Sequence, residues 1–362
     1  MADVVSILDP PLPGVYTGLQ SERVTFRRSE MIGAAVLGLG RIGPSHVKVV
    51  ANTPGVELKA VAEVDEKKLK QVLNDYPGVA SYSDYKDVLK RDDIQVVVMC
   101  LPHWLHKQAA IDAANAGKHI LVEKPLANTV EECDAMIEAA KRNKVMLMPA
   151  HTQRYYPVVR KAKEIIDSKQ VGDLIMAVDV WYKPLNPESR PAWMLDKKLG
   201  GGMMLMDGVH MIDRLLWIFG PDIVSVQGMS GNPVYPEIPA DDTAMAFLRW
   251  RSGKVATISR IAFRTGCTEY GADFFCTNGQ VRFRIAYGRQ GQTGVWIGQN
   301  EKWTPVPFEE FNSLERQFKE FVEAVNKGGK PPIPPEHGRQ VIQVMEAIER
   351  SSETGHEVVL AR

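Results

Sequence analysis

The segment Gly38-Leu39-Gly40-Arg41-Ile42-Gly43 follows an apolar run that starts at Met31 and precedes a stretch with a helical pattern. Glycines at this spacing are typical of a turn that binds a dinucleotide: the first permits the bend, the second lets backbone approach a pyrophosphate, and the third lets the helix pack on the strand. The helix directs unpaired N–H groups at the phosphates. The sequence therefore predicts a cofactor-binding loop of Gly38, Gly40, Arg41, Ile42 and Gly43.

One acidic residue makes this interpretation more specific. Glu63 ends the next apolar run, Val56 to Ala62, twenty residues after Gly43. A carboxylate there can accept hydrogen bonds from both hydroxyls of the adenosine ribose, and it would repel a 2′-phosphate. We therefore expect NAD to be the cofactor, with NADP less favoured.

Length, composition and charge limit the classes of protein to which the chain can belong. With 362 residues, of which 44% are hydrophobic, the chain is long enough for two domains with separate cores. Its 44 basic and 44 acidic residues are mixed along the sequence, which argues against nucleic acid or a membrane surface and favours a small-molecule partner. Neither a membrane-spanning run of roughly twenty apolar residues nor a secretory signal is recognisable. We expect a cytoplasmic protein.

The predicted order of strands and helices changes once along the chain. Strand and helix patterns alternate over residues 31–150, which predicts a doubly wound parallel sheet. Strands dominate afterwards, and Asn278-Gly279 between two alternating runs indicates a hairpin. The predicted fold class is α/β, with a dinucleotide-binding domain over residues 31–150 and an α+β domain with a large, open, mostly antiparallel sheet over residues 151–362. Residues 1–30 are predicted to be an arm or tail.

Lys124 lies where the fifth predicted parallel strand ends, at the edge where open α/β sheets bind ligands. An ammonium group there can hydrogen-bond a substrate hydroxyl and stabilise the oxygen as a hydride leaves the carbon. A lysine at a strand end is otherwise usually a solvated residue. Pro125 allows a cis peptide bond without requiring one.

His210 follows Gly200-Gly201-Gly202 in a helical pattern, and an imidazole can take a hydroxyl proton near neutral pH. Its apolar neighbours also fit a histidine that is simply part of the core. Asp207 and Asp213 lie three residues before and after His210, so either carboxylate can share its helix face and orient the ring. We prefer Asp207 for this role.

Four motifs together resemble the Gfo/Idh/MocA oxidoreductases, over residues 31 to about 355. Glu123-Lys124-Pro125 after a strand is the most specific of them. The motifs are the glycine loop, Pro102-His103-Trp104-Leu105-His106, Gly117 to Pro125, and the Gly-rich loop with Val209-His210-Met211-Ile212-Asp213. The arm over residues 1–30 falls outside the resemblance.

The resemblance implies roles for individual residues. The first domain is expected to be a Rossmann domain, Lys124 to contact both nicotinamide ribose and substrate, and His210 to be the general acid/base. Met206 departs from the family, which has an aspartate at that position, and this puts the usual acid and its substrate contacts in doubt. The remaining cofactor-site residues implied are Leu101, Pro102, His103, His106 and Glu123, and the substrate-binding residues are Lys124, Arg154, Tyr155, Trp193, Asp207 and His210.

Two of these assignments keep an alternative. Trp193 can stack on a sugar face or can be a packed aromatic residue. His103 and His106 could together hold zinc, but no Cys or carboxylate with metal-ligand spacing stands beside them, and the four cysteines contain no C-x-x-C pair. We predict no metal site.

The function predicted is hydride transfer between NAD and a secondary alcohol or ketone of a sugar, cyclitol or glycoside. Two alternatives remain: a glycoside hydrolase or lyase that oxidises its substrate transiently, and a non-catalytic cofactor-binding protein, for which Met206 is the main support. The second sheet is expected to have one uncovered face, and such faces usually meet a partner. The resemblance implies a homodimer or homotetramer through that sheet, with the arm crossing onto a neighbour.

Overall fold

A computed structural model describes residues 31–286 and 291–360. The predicted arm over residues 1–30 lies outside the described residues. Two sheets form the frame, and the predicted α/β architecture is confirmed. The first sheet is entirely parallel, and the second is mostly antiparallel.

The first sheet has the strand order β3-β2-β1-β4-β5-β6. Every residue of β1 is buried, as expected for a parallel strand covered on both faces. The order reverses beside β1, and ligands bind at such a switch point beyond the carboxyl ends of the strands. The strands are β1 (Ile32–Leu37), β2 (Val56–Ala62), β3 (Ala80–Tyr82), β4 (Val96–Met99), β5 (His119–Glu123) and β6 (Leu147–Ala150).

Helices connect these strands, and several begin at a side-chain cap. Asp65, Asp84 and Thr129 each accept a hydrogen bond from a backbone N–H of the first turn. The helices are α1 (Gly43–Asn52), α2 (Glu66–Asp75), α3 (Tyr85–Leu89), α4 (His106–Asn115) and α5 (Val130–Arg142).

The second sheet has nine strands in the order β14-β13-β12-β11-β7-β10-β9-β8-β15. Its one parallel pair is β7 with β10. The predicted hairpin joins β11 to β12 through Thr277 and Asn278. The strands are β7 (Leu174–Pro184), β8 (Ile223–Gly231), β9 (Thr243–Trp250), β10 (Val255–Phe263), β11 (Glu269–Cys276), β12 (Gly279–Arg284), β13 (Gly294–Gln299), β14 (Lys302–Val306) and β15 (Val358–Val359).

The rest of the described chain contains four further α-helices: α6 (Pro157–Asp167), α7 (Val209–Phe219), α8 (Ser313–Lys327) and α9 (Pro335–Thr354). Helices α6, α7 and α9 pack on the second sheet. Helix α8 instead returns to the first domain, where Phe318 and Phe321 join Val36 and Met148 in one hydrophobic cluster. The boundary predicted at residue 150 therefore separates the two sheets but does not separate the cores.

The segment before α7 departs from the regular helical pattern that was predicted around His210. Met204–Gly208 form a π-helical turn, and α7 begins at Val209. Such a turn inserts a residue into the helical register, and it often marks a functional site. It changes which side chains share a face with His210.

No helix in the described part of the chain is long and apolar enough to cross a membrane.

Candidate active site

The glycine loop has the geometry of a dinucleotide cradle. Gly38 has φ +93°, and a Cβ on Gly43 would come within 2.2 Å of Gly38 O, so side chains are excluded at both ends of the loop. A Cβ on Gly40 would meet nothing within 4 Å, which leaves its backbone open to a ligand. Helix α1 begins with no side-chain cap, so the N–H groups of its first turn can bind a phosphate. These residues fit the pyrophosphate of a dinucleotide.

Glu63 is held against this loop. Its carboxylate accepts three hydrogen bonds, from Leu39 N at 2.7 Å, Val64 N at 3.0 Å and Asp65 N at 3.2 Å. The side chain lies at the end of β2, where a ribose acceptor is expected. A carboxylate has about four lone-pair sites, so these bonds leave capacity for a ribose hydroxyl.

Lys124 lies directly after β5, as predicted, and reaches into the second domain. Its Nζ donates a hydrogen bond to Met206 O at 2.6 Å. Burial lowers the pKa of Lys124, while the charges of Asp207 and Glu123 oppose this shift. The peptide bond between Lys124 and Pro125 is cis.

Glu123 was predicted to bind the cofactor, but its carboxylate is engaged by the protein. Its Oε1 lies 2.8 Å from His46 Nε2, and its Oε2 accepts a hydrogen bond from Lys124 N at 3.1 Å. Burial would raise the pKa of Glu123, and the hydrogen bond and charge of His46 outweigh that effect and lower it. Glu123 therefore fixes α1 and Lys124 at the strand end.

The two histidines of the Pro102–His106 motif are also held by backbone oxygens. The Nδ1 and Nε2 atoms of His106 each lie 2.9 Å from a carbonyl oxygen, of Pro125 and Leu101 respectively. His103 Nδ1 lies 2.7 Å from Gly200 O. His106 thus ties the Leu101–Pro102 segment to the lysine strand end. No cluster of residues in the described ranges has the composition of a metal site.

The segment between β7 and the π-helical turn folds over the nucleotide domain. Trp193 packs edge-on against His103 and Trp104, with ring centroids 4.7 and 5.4 Å away. Trp193 therefore packs against two aromatic rings of the nucleotide domain, and its stacking on a sugar face stays a prediction. The triple glycine serves the same docking, because a Cβ on Gly200 would come within 2.3 Å of Asn128 Oδ1.

His210 is buried beside Trp181, and its Nδ1 has no hydrogen-bond partner among the described residues. Burial lowers its pKa well below the usual range, and the charge of Lys124 acts in the same direction. The imidazole is therefore neutral near pH 7 and can accept a proton.

The predicted role of Asp207 in orienting the His210 ring is wrong. The π-helical turn directs Asp207 at Lys183 Nζ and Arg260 Nη2, which lie 2.7 and 2.6 Å from Asp207 Oδ2. Burial would raise the pKa of Asp207, but the charges of Arg260 and Lys183 lower it far below its usual range. Asp207 thus remains ionised next to the site without orienting the imidazole.

Asp213 does not orient His210 either. It is fully buried and accepts hydrogen bonds from Arg154, through Nη2, and from His337 Nε2 at 2.8 Å. Arg154 was predicted to bind substrate, and its guanidinium is instead committed to this internal ion pair. His151 Nδ1 lies 3.9 Å from Asp213 Oδ1, and neither ring nitrogen of His151 has a hydrogen-bond partner within the described structure.

Tyr155 was also predicted to contact substrate, and the structure corrects this. Its side chain is buried in the hydrophobic cluster under α8, and the Arg160 guanidinium lies 4.6 Å from its ring centroid. The short helical turn Thr152–Tyr155 sends Arg154 to one side and Tyr155 to the other.

Sequence reasoning missed Lys183, Arg260 and His337. Lys183 and Arg260 lie in β7 and β10, which the parallel pairing brings together. Buried and half-buried positions alternate in both strands, and Lys183 and Arg260 occupy buried positions, where an apolar residue is normal. A charged residue at such a position was the sequence signal that could have identified them. His337 lies in the first turn of α9, and nothing in its local sequence marks it.

Comparisons with known proteins agree with this geometry. Residues 32–151 match the model of the Gfo/Idh/MocA oxidoreductase family, NAD-binding Rossmann fold, and residues 159–282 match the Gfo/Idh/MocA C-terminal domain. A scyllo-inositol 2-dehydrogenase (NAD(+)) of Bacillus subtilis is 29% identical over 318 residues, covering 83% of this chain and 88% of that protein.

The names of two further similar proteins describe different reactions. A 4-carboxy-2-hydroxymuconate-6-semialdehyde dehydrogenase of Sphingobium is 25% identical, over 82% of this chain and 91% of that protein. The crystal structure of aldose-aldose oxidoreductase from Caulobacter crescentus superposes with a TM-score of 0.82 at 24% identity, over 91% of this chain and 100% of that one, which shows the shared fold. The chain belongs to the Gfo/Idh/MocA family of NAD-binding oxidoreductases.

Proposed function

We propose that the chain is an NAD-dependent dehydrogenase that acts on a secondary alcohol, or the corresponding ketone, of a sugar, cyclitol or glycoside. The observation that carries this proposal is the bond from Lys124 Nζ to Met206 O, which joins the carboxyl edge of the first sheet to the turn before His210. The name of the inositol dehydrogenase relative supports a polyhydroxylated substrate.

When bound, NAD supplies the hydride acceptor. Lys124 binds the substrate hydroxyl and stabilises the negative charge that develops on its oxygen. His210, neutral because burial lowers its pKa, takes the hydroxyl proton. The segment that docks on His103 and Trp104 excludes water from the cleft.

Glu63 supports NAD rather than NADP as the cofactor. Its carboxylate is fixed beside the glycine loop by Leu39 N. A 2′-phosphate placed there would meet a negative charge, whereas a 2′-hydroxyl would meet an acceptor.

The test is a calorimetric titration with NAD and NADP, followed by absorbance in the reduced-nicotinamide band with a panel of polyols. Binding of NAD and reduction by a polyol are expected. If neither nucleotide binds, the proposal is wrong. Release of an aglycone from a glycoside with no net change in cofactor redox state would identify a glycoside hydrolase instead.

We also propose that the chain forms a homodimer or homotetramer through the outer face of the second sheet. Several of the side chains that alternate with the core residues there are apolar and half-buried or exposed, including Val178, Val180, Met245 and Ile261. Sedimentation is expected to give a dimer or tetramer, and Met245→Asp to weaken it. A strict monomer at all concentrations would contradict this proposal.

A further inference from the structure

Residues 186–201, which we call the covering segment, form a loop whose two ends meet on the second domain. Leu185 and Met203, which flank the loop, are both buried in one small hydrophobic cluster. Leu185 N donates a hydrogen bond to Phe263 O at 3.0 Å, and Met203 N donates one to Asp241 O at 2.9 Å. The covering segment therefore has a fixed base from which the rest of the loop extends.

The covering segment is held in shape by hydrogen bonds within it rather than by burial. Asp196 O accepts hydrogen bonds from Leu199 N at 3.1 Å and from Gly201 N at 2.8 Å. Residues 186–199, all of which the structure describes, contain no buried side chain. A loop with internal hydrogen bonds and no side chain in a core can open as a unit without unfolding the domains beside it.

The contacts of the covering segment with the nucleotide domain lie beyond the ends of β4 and β5. Trp193 packs edge-on against His103 and Trp104, with ring centroids 4.7 and 5.4 Å away. His103 Nδ1 lies 2.7 Å from Gly200 O, and a Cβ on Gly200 would come within 2.3 Å of Asn128 Oδ1. A dinucleotide binds along this edge of a doubly wound sheet.

These contacts cover a residue that was predicted to bind the cofactor. His103 is 5% exposed, because Trp193 and Gly200 lie against its ring. A ligand that comes from solvent can contact the His103 ring only after the covering segment has moved away from it. The position of this segment therefore controls access to one end of the predicted cofactor site.

We propose that the covering segment is a lid that controls exchange of the nicotinamide cofactor, and that Trp193 holds this lid closed. The open lid admits the nucleotide along the carboxyl edge, and the docked lid retains it. The docking contacts join protein to protein and are present without a nucleotide. Docking therefore sets how fast the cofactor exchanges rather than how tightly it binds. This inference rests on the proposed function, because it takes NAD as the ligand of the site.

Stopped-flow fluorescence of NADH tests the inference without requiring turnover. Association is followed after NADH is mixed with wild type or Trp193→Ala, and dissociation after bound NADH is displaced by excess NAD. Trp193→Ala removes two edge-on aromatic pairs, so both rate constants should rise by about tenfold. Their ratio, the Kd for NADH, should change by less than about threefold, because docking is the same in the free and bound protein.

Two further variants assign the effect to the aromatic contacts. Trp193→Phe keeps a ring against His103 and Trp104, so its rate constants should lie closer to those of wild type than to those of Trp193→Ala. Lys197→Gln is the matched control on the same segment, because Lys197 is exposed and pairs with Glu349 at 3.2 Å. Exposed ion pairs contribute little, so this variant should keep both rate constants within about threefold of wild type.

Two results would overturn the inference alone. Unchanged rate constants in Trp193→Ala would show that the covering segment does not control exchange. Faster dissociation with an equal loss of affinity, and no change in association, would show that Trp193 contacts the nucleotide instead of closing a lid. The proposed function has a separate outcome, because failure of wild type to bind either NADH or NAD would contradict the dehydrogenase and the lid together.

Discussion

Replacing Asp213 with asparagine should destabilise the protein strongly while leaving the chemistry of the site in place. Asp213 is fully buried and pairs with Arg154, which is 6% exposed. Asp213→Asn leaves the guanidinium buried without a counter-charge, which costs about 3–5 kcal/mol. With an unfolding entropy of about 2.1 cal/mol/K per residue and 362 residues, the midpoint of thermal unfolding should fall by about 4–7 °C.

A matched control separates burial from charge pairing. Asp134 pairs with Arg339 at 2.5 Å, and both side chains are about a third or more exposed, at 46% and 32%. Exposed pairs are typically worth about 0–1 kcal/mol, so Asp134→Asn should change the midpoint by roughly 1 °C or less. The double variant Asp213→Asn with Arg154→Met should recover part of the loss, because it removes the uncompensated charge.

The loss should also depend on pH with a defined sign. Burial would raise the pKa of Asp213, but Arg154 and His337 outweigh it and hold the pKa below its usual range. The stabilising contribution is therefore complete above about pH 4, the unfolded pKa, and declines as the pH falls. Thermal scans of wild type and Asp213→Asn should converge in acid. A loss no larger than that of Asp134→Asn at neutral pH would refute the reasoning.

Three further predictions concern cofactor, catalysis and acid stability. Lys124→Ala and His210→Ala should leave NAD affinity within a few-fold in calorimetry but reduce turnover by about 10²–10⁴. Asp207→Asn should reduce turnover less than either of these variants. A large loss of NAD affinity in Lys124→Ala would show that this lysine does not act in catalysis separately from cofactor binding. Glu63→Ala should weaken NAD by about tenfold or more relative to NADP, since charge-assisted bonds are worth about 1.5–3 kcal/mol, and an equal loss for both nucleotides would show that Glu63 does not read the ribose. Burial lowers the pKa of His151 to about 4. The unfolded chain therefore takes up a proton at higher pH than the folded chain does, and stability should fall as the pH drops from about 6.5 toward 4. His151→Gln should flatten this part of the plot of stability against pH, and an unchanged slope would exclude this histidine as the source of the pH dependence.

Local sequence patterns were enough to predict the architecture of the first domain. The loop from Gly38 to Gly43 and the end of the strand before Lys124 are both marked by residues close in sequence. Such features are set by turn geometry, apolar periodicity and capping, which a sequence displays directly.

The wrong predictions at the site have one cause, which is that each side chain contacts residues distant in sequence. The sequence places Asp207 three residues from His210, which in a regular helix would put both on one face. The π-helical turn changes that register, and Arg260 and Lys183 from distant strands compete for the carboxylate. Arg154 and Tyr155 were similarly assigned without knowledge of the ion pair and the hydrophobic cluster that hold them.

The sequence by itself determined the nucleotide-binding loop, the alternating architecture of the first domain and the position of Lys124 at a strand end. It did so because glycine spacing, hydrophobic period and strand boundaries are local properties of the chain. Only the tertiary structure decided which charges meet around Lys124 and His210. The partners of Asp207 come from β7 and β10, and those of Asp213 come from the turn Thr152–Tyr155 and from α9. Pairings over such separations depend on packing rather than on any local pattern.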